Sequence, residues 1–198
     1  MRRAAPPSRW PNPRLRRTRR LWFRLDRTHP REWSWEPHPR PRWRFDSPSG
    51  RYRIRYAASS LRGMLREAFD PERHIPRDAL DRWVVAVRLR GPVVDLRTDD
   101  TLDALGCDDR INTSREPQIW DYAQRIGDLV WETFESARSG VPGIVYRSRT
   151  TPQHNVNVAF FASSLAEVAW VRRLADMPEL LDVAIRGDGF TVDLPEEW

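Results

Sequence analysis

Alternation of apolar and polar residues predicts several β-strands along the chain. The most regular alternation covers residues 51–56, where Tyr52, Ile54 and Tyr56 would lie on one face and arginines on the other. Segments rich in valine predict additional strands, because β-branched side chains favour extended backbone. The predicted strands cover residues 21–25, 51–56, 83–89, 92–96, 144–149, 156–161 and 190–192.

Apolar residues at helical spacing predict helices between these strands. The first helix begins after Ser59 or Ser60, either of which can cap it, and ends at Pro71. The longest helix covers about residues 117–138 and is followed by glycine and proline. Shorter helices are predicted at 98–105 and before the final strand. These elements predict the α+β class, as one mixed α/β domain with central strands and flanking helices.

Two segments lack such periodicity. Residues 1–20 contain eight arginines and no acidic residue, so they predict a disordered basic tail in front of a folded domain at 21–198. The arginines of such a tail could bind the phosphates of a nucleic acid. Residues 28–50 are rich in proline, tryptophan and arginine and predict a long ordered loop, because the tryptophans need a surface on which to pack.

Composition narrows the class of protein. Outside the basic tail the chain is close to neutral, and its basic residues are all arginine. No apolar run approaches the roughly 20 residues of a membrane-spanning helix, and no apolar segment follows Arg2 and Arg3 as in an export signal. We therefore expect a cytoplasmic protein without membrane contact. The single cysteine, Cys107, excludes an internal disulfide, and the scattered histidines predict no metal site.

Two polar residues interrupt predicted apolar faces. Glu67 lies at the edge of the apolar stripe of the helix after Ser60, where its carboxylate would be partly desolvated. Ser148 shares a strand face with Ile144 and Tyr146, where a hydroxyl needs a hydrogen-bond partner. Either residue alone is more typical of a structural position than of catalysis.

The order of short motifs resembles the RES domain family. The similarity covers about residues 21–192, and the motifs are FRL at 23–25, RFDSPSG at 44–50, RYRIRYAASSLRGMLREAF at 51–69, VVDL at 93–96, GIVYRSR at 143–149 and NVAFF at 157–161. The family is named for an arginine, a glutamate and a serine, which Arg44, Glu67 and Ser148 match in order. Tyr56 matches a tyrosine before the glutamate. Arg24 matches another arginine near the family's start, so the key arginine is either Arg44 or Arg24.

This resemblance implies a fold like that of the ADP-ribosyltransferases and an enzyme that consumes NAD by hydrolysis, phosphorolysis or ADP-ribosyl transfer. NAD would be a substrate, with no bound cofactor. The resemblance also implies the toxin of a toxin–antitoxin pair, whose partner is a helix-turn-helix antitoxin of the Xre type. No direct binding of nucleic acid is implied beyond the basic tail.

The resemblance also implies a role for each matching residue. Glu67 would stabilise an oxocarbenium-like ribose, and Arg44 or Arg24 would bind the pyrophosphate. Tyr56 would stack on nicotinamide or adenine, and Ser148 would hydrogen-bond a ribose hydroxyl or the nicotinamide amide.

Two alternatives stay open from the sequence. The basic tail and the many tryptophans are also typical of a module that binds or cleaves nucleic acid, since aromatic side chains stack on bases. A catalytically inactive RES-like protein that acts by binding alone is the second alternative, because a fold does not guarantee an activity. The double-glycine step before arginine and tryptophan, found in many family members, is absent here.

Overall fold

Ten strands and six helices form the part of the chain that the computed structural model describes, residues 15–135, 140–150, 155–161 and 165–194. The strands are β1 (Leu15–Arg17), β2 (Leu21–Asp26), β3 (Ile54–Ala58), β4 (His74–Ile75), β5 (Trp83–Leu89), β6 (Pro92–Asp95), β7 (Gly143–Arg147), β8 (Val156–Phe161), β9 (Ala166–Arg173) and β10 (Thr191–Val192). The helices are α1 (Leu61–Phe69), α2 (Arg77–Leu80), α3 (Asp99–Ala104), α4 (Arg110–Thr113), α5 (Pro117–Glu135) and α6 (Pro178–Asp188).

Eight of these strands form one curled sheet in the order β1-β6-β7-β8-β3-β2-β5-β9. All neighbours in this sheet are antiparallel except β6 and β7, which are parallel. The strands β4 and β10 form a separate parallel pair. The predicted α+β class, with central strands and flanking helices, is confirmed. Within the described residues, no helix combines the length and apolar character needed to cross a membrane.

Both faces of the curled sheet are covered by apolar side chains. On one face, α5 packs over β3, β6, β7 and β8, and α1 and α6 pack over β2 and β3. The opposite, concave face gathers side chains from β2, β3, β5, β6, β7 and β8 into a single cluster that includes the buried Trp22. Adjacent strand residues such as Val145 and Tyr146 therefore belong to different clusters.

The tryptophan-rich loop covers the concave face, as its composition predicts. Trp33 and Trp35 pack against Phe160, with ring centroids 6.3 and 6.1 Å away. The guanidinium of the buried Arg55 lies 4.4 Å from the Trp33 ring and 5.0 Å from the Trp35 ring. Arg55 also forms a 3.0 Å ion pair with Asp26. The loop is therefore tied to the sheet by stacking and by charge.

Of the two serines that could cap α1, the structure shows that Ser60 is the cap. Ser60 Oγ accepts a 2.9 Å hydrogen bond from the backbone N–H of Gly63 and is the N-cap. Ser59 instead donates to Asn155 at 2.8 Å, which ties the start of α1 to the segment before β8. Gly63 leaves room for this contact, because a Cβ at this position would overlap the Asn155 side chain.

Several sequence predictions need correction. Residues 15–17, assigned to a disordered tail, form β1, which pairs with β6 through backbone hydrogen bonds that composition does not reveal. The rest of that tail, residues 1–14, lies outside the described residues, as do residues 136–138 of the predicted long helix. The edge strand β9 was not predicted, because its burial follows no regular alternation.

Candidate functional site

A carboxylate that accepts two hydroxyl hydrogen bonds lies at the centre of the candidate site. Ser148 Oγ donates to Glu67 Oε1 at 2.6 Å, and Thr150 Oγ1 donates to the same oxygen at 3.0 Å. Ser148 directly follows β7, and Glu67 lies in the last turns of α1. Ser148 is fully buried, whereas Glu67 is exposed. The expectation that Glu67 is partly desolvated is therefore wrong, because α1 presents it at the surface.

The loop that carries Arg44 is held firmly by hydrogen bonds to its backbone. Asp46 Oδ2 accepts from the N–H groups of Arg42 and Trp43 at 2.8 and 2.9 Å, which closes a tight turn. From α5, Gln124 donates to the carbonyl of Trp43 at 3.0 Å. Phe45, which is fully buried, packs edge-on against Tyr146. Arg44 is thus fixed on the face of the sheet that also carries Ser148.

The Arg44 guanidinium is nearly buried, at 6% exposure, yet it has no carboxylate partner within the described ranges. It donates to the backbone carbonyls of Ile111 and Ser114, the latter at 2.9 Å. Burial lowers the pKa of Arg44, and the nearby Glu67 raises it in part. A buried cation that lacks an acidic partner favours the binding of an anion.

A second arginine that the sequence analysis did not single out lies beside Arg44. The positive charge of Arg149 is close enough to add to the burial that lowers the pKa of Arg44 and to oppose in part the rise in the pKa of Tyr146. Its Nε is buried and has no hydrogen-bond partner in the described part of the chain, where Arg149 also has no ion pair. Its position one residue after Ser148 is the only signal in the sequence, and it is weak in a chain with 34 basic residues that are all arginine.

Two tyrosines complete the surroundings of the carboxylate. Tyr56 is half-buried, and its hydroxyl accepts from the backbone N–H of Phe45 at 2.9 Å and donates to Asp46 at 3.0 Å. Burial and the neighbouring Asp46 raise its pKa well above the usual value. Burial, together with the charge of Glu67, also raises the pKa of Tyr146. Both hydroxyls therefore stay protonated at neutral pH.

Arg24 lies apart from these residues. In β2 it shares a face with Trp22 and Asp26, and Trp22 belongs to the concave cluster. Its Nε donates to Asp26 at 2.7 Å, and its Nη1 donates to the carbonyl of Tyr56 at 3.1 Å. The structure therefore brings Arg44, Tyr56, Glu67 and Ser148 to one face of the sheet and places Arg24 on the other, where it is paired with the carboxylate of Asp26.

Other reactive groups do not extend the site. Burial raises the pKa of Cys107 to about 12, so its thiol is protonated at neutral pH and is a poor nucleophile. Among the described residues, no group of three His, Cys, Asp or Glu side chains is placed to hold a metal ion. Within the described residues, the chemistry available is that of one exposed carboxylate, two hydroxyls bound to it, and two arginines that have no acidic partner there.

Comparisons with known proteins identify the family and a similar fold. Residues 14–181 match the RES domain family. Among solved structures, the fold is similar to a chain in the crystal structure of the M. tuberculosis MbcT–MbcA toxin–antitoxin complex, with a TM-score of 0.58 and 17% sequence identity. The match covers 81% of this chain and 88% of that chain. No curated protein matches the sequence significantly.

Proposed function

Because this chain belongs to the RES domain family, we propose that it is the toxin of a toxin–antitoxin pair and that it cleaves the nicotinamide–ribose bond of NAD. The observation that carries this proposal is the Glu67 carboxylate, which Ser148 fixes, together with Arg44 and Arg149, two neighbouring arginines that have no acidic partner among the described residues. NAD presents the complementary groups, a ribose that becomes cationic as nicotinamide leaves and a pyrophosphate with two negative charges.

Glu67 would act on the reacting ribose. Cleavage passes through an oxocarbenium-like sugar, and a fixed negative charge beside it lowers the barrier. The hydrogen bonds from Ser148 and Thr150 at one oxygen fix the orientation of the carboxylate and leave its second oxygen, Oε2, for the ribose. Neither hydroxyl needs to form a covalent bond with the substrate in this scheme.

Arg44 and Arg149 would bind the pyrophosphate. A guanidinium can donate two parallel hydrogen bonds to phosphate oxygens, and the carbonyls of Ile111 and Ser114 already hold Arg44 in one orientation. Of the two arginines that the sequence left as alternatives, Arg44 is the better candidate. Arg24 is paired with Asp26 and lies on the opposite face of the sheet.

Tyr56 would position Arg44 through its hydroxyl. Its bonds to Phe45 and Asp46 brace the turn that carries Arg44, a role that the sequence did not predict. Stacking of its half-buried ring on nicotinamide or adenine stays a prediction.

A protein antitoxin would complete the system. A solved structure with a similar fold is that of a toxin–antitoxin complex, and we propose a helix-turn-helix antitoxin of the Xre type as the partner here. The enzyme would act on the cytoplasmic NAD pool. The acceptor of the ADP-ribosyl group would be water, phosphate or a protein.

Nicotinamide release from NAD by the purified chain tests the proposal. The assay compares wild type, Glu67→Gln and the control Glu72→Gln, which neutralises an exposed glutamate just beyond α1. Wild type and the control should release nicotinamide, and Glu67→Gln should be at least about 100-fold slower. Mass spectrometry of the product with and without phosphate would identify the acceptor. If NAD stays intact with water, phosphate and a protein extract as acceptors, the proposal fails, and RNA cleavage by the same sample would support the nucleic-acid alternative.

A further inference from the structure

A polar cavity of about 140 Å³ lies on the other face of the sheet, beside the edge strand β1. Its apolar wall includes Val93 and Val145 of the concave cluster. Val145 and the next residue, Tyr146, point to opposite faces, so the sheet separates this cavity from Glu67. Five arginines also line the cavity: Arg16, Arg17, Arg19, Arg20 and Arg97.

The charges around this cavity do not cancel. Asp95 is the one acidic residue in its lining, and Arg97 binds both carboxylate oxygens at 2.7 and 2.6 Å. Arg16 adds a weaker ion pair with Asp95 at 3.6 Å. Within the described ranges, Arg17, Arg19 and Arg20 have no ion pair. The cavity therefore carries an excess of positive charge, which favours an anionic ligand.

Two residues of the cavity lining carry a buried hydrogen-bond donor that has no partner within the described part of the chain. Trp22 is 1% exposed, and its Nε1 has no hydrogen-bond partner among the residues that the structure describes. The same holds for Thr18 Oγ1. Buried donors in native proteins are nearly always satisfied, so two of them in one cavity lining indicate a ligand that accepts hydrogen bonds. The guanidinium of Arg20 lies 5.8 Å from the centroid of the Trp22 ring, which holds a cation beside the indole.

We propose that this cavity binds a phosphate group, either as inorganic phosphate or as a phosphomonoester. A tetrahedral dianion can accept hydrogen bonds from arginine, hydroxyl and indole donors together, and arginine is well suited to bind it. The volume is far below the roughly 300–1,000 Å³ of sites for drug-sized ligands, so it suits one phosphate group and excludes a whole dinucleotide. This site is independent of the proposed NAD chemistry.

Calorimetric titration of the full-length chain with inorganic phosphate, and separately with AMP, tests this site and distinguishes the two sources of the phosphate group. The double variant Arg17→Gln/Arg20→Gln changes two exposed side chains of the rim, and thermal melting would verify that it folds. Arg88→Gln, which changes an exposed arginine of β5, is the matched control. Arg149→Gln reports any phosphate that binds on the Glu67 face instead.

We expect saturable binding of at least one of the two probes. The double variant should weaken this binding at least about 10-fold, as expected for the loss of charged hydrogen bonds, and Arg88→Gln should not change it. Arg149→Gln should leave the part of the binding that depends on Arg17 and Arg20 unchanged. Binding that depends on Arg149 alone would overturn the proposal, as would the absence of saturable binding. Short duplex RNA that binds through Arg17 and Arg20 while phosphate and AMP do not would also overturn it, in favour of a nucleic-acid surface. Because NAD cleavage is not the readout, these outcomes are separate from the failure of the proposed enzyme activity.

Discussion

Ser148 donates a 2.6 Å hydrogen bond to Glu67, although 81 residues separate them in the chain. The contact joins a fully buried serine that directly follows β7 to a glutamate in the last turn of α1. A buried hydroxyl has few orientations available, so Ser148 fixes one oxygen of an otherwise exposed carboxylate. The reactivity of Glu67 should therefore depend on the serine.

Removal of this hydroxyl should slow NAD cleavage without abolishing it. In Ser148→Ala, Thr150 still donates to Glu67 at 3.0 Å, so part of the orientation is retained. We expect kcat to fall about 10-fold to 100-fold, as for the loss of one hydrogen bond to a charged group. Thr150→Val should have a smaller effect, because its hydroxyl is less buried and its bond is longer. Equal activity of wild type and Ser148→Ala would show that the serine does not orient the carboxylate.

Arg149 should affect substrate binding more than the chemical step. If Arg149 and Arg44 bind the pyrophosphate in both the ground state and the transition state, Arg149→Gln should raise KM for NAD about 10-fold and change kcat by less than about 3-fold. Arg88→Gln, which changes an exposed arginine on β5, is the control. Steady-state kinetics would measure both constants. An unchanged KM would remove Arg149 from the substrate site while leaving the role of Glu67 intact.

The hydroxyl of Tyr56 should contribute to NAD binding through Arg44. Tyr56→Phe leaves the N–H of Phe45 without its partner and removes the bond to Asp46 Oδ1, so the turn that carries Arg44 should loosen. We expect a loss of about 1–2 kcal/mol in the free energy of unfolding and a several-fold increase in KM for NAD.

A matched control separates stability from positioning in this experiment. Tyr122→Phe also removes a tyrosine hydrogen bond, a partly buried one to the carbonyl of Leu105, which lies outside the turn that carries Arg44. It should destabilise the protein to a similar extent without changing KM. If both variants change KM equally, the effect of Tyr56 is a general loss of stability and the positioning role is wrong.

Local sequence patterns predicted the elements that carry the site. The alternation of 51–56 and the apolar stripe after Ser60 placed Tyr56 on a strand and Glu67 on a helix, and the structure has both elements as β3 and α1. Ser148 was expected on a buried face, and it is fully buried. These features follow from the period of two residues in a strand and of 3.6 residues in a helix, which a single sequence displays directly.

The sequence could not predict in the same way on which face of the sheet each candidate residue lies, or which side chains it contacts. Arg24 and Tyr56 both lie in predicted strands, but both sheet faces are covered, so periodicity does not show which face carries the site. Arg149 was missed because a guanidinium without a carboxylate partner is recognised only from its surroundings. The strand β1 was missed because it is extended only through its pairing with β6, about 80 residues away in the chain, and not through a pattern in its own residues.

The helix that carries Glu67 is also held by a buried carboxylate whose contribution should depend on pH. Asp188 at the end of α6 accepts hydrogen bonds from Arg62 at 2.8 and 2.6 Å and from Arg66 at 2.5 Å, and both arginines belong to α1. These bonds lower its pKa to about 2, although burial opposes the shift. Asp188→Asn should reduce the free energy of unfolding at pH 7 by about 2 kcal/mol.

The sign of the pH dependence follows from the lowered pKa of Asp188. A carboxyl group with a lower pKa in the folded state contributes its full stabilisation above its unfolded pKa, about 4, and loses it as the pH falls through about 2. The difference between the urea midpoints of wild type and Asp188→Asn should therefore be largest at neutral pH and shrink below pH 4. Asp182→Asn, which removes a half-exposed carboxylate paired with Arg186, should show little difference at any pH. If the difference between the urea midpoints of wild type and Asp188→Asn stays constant down to pH 2, then the contact between α1 and α6 depends on packing and not on the charge of Asp188.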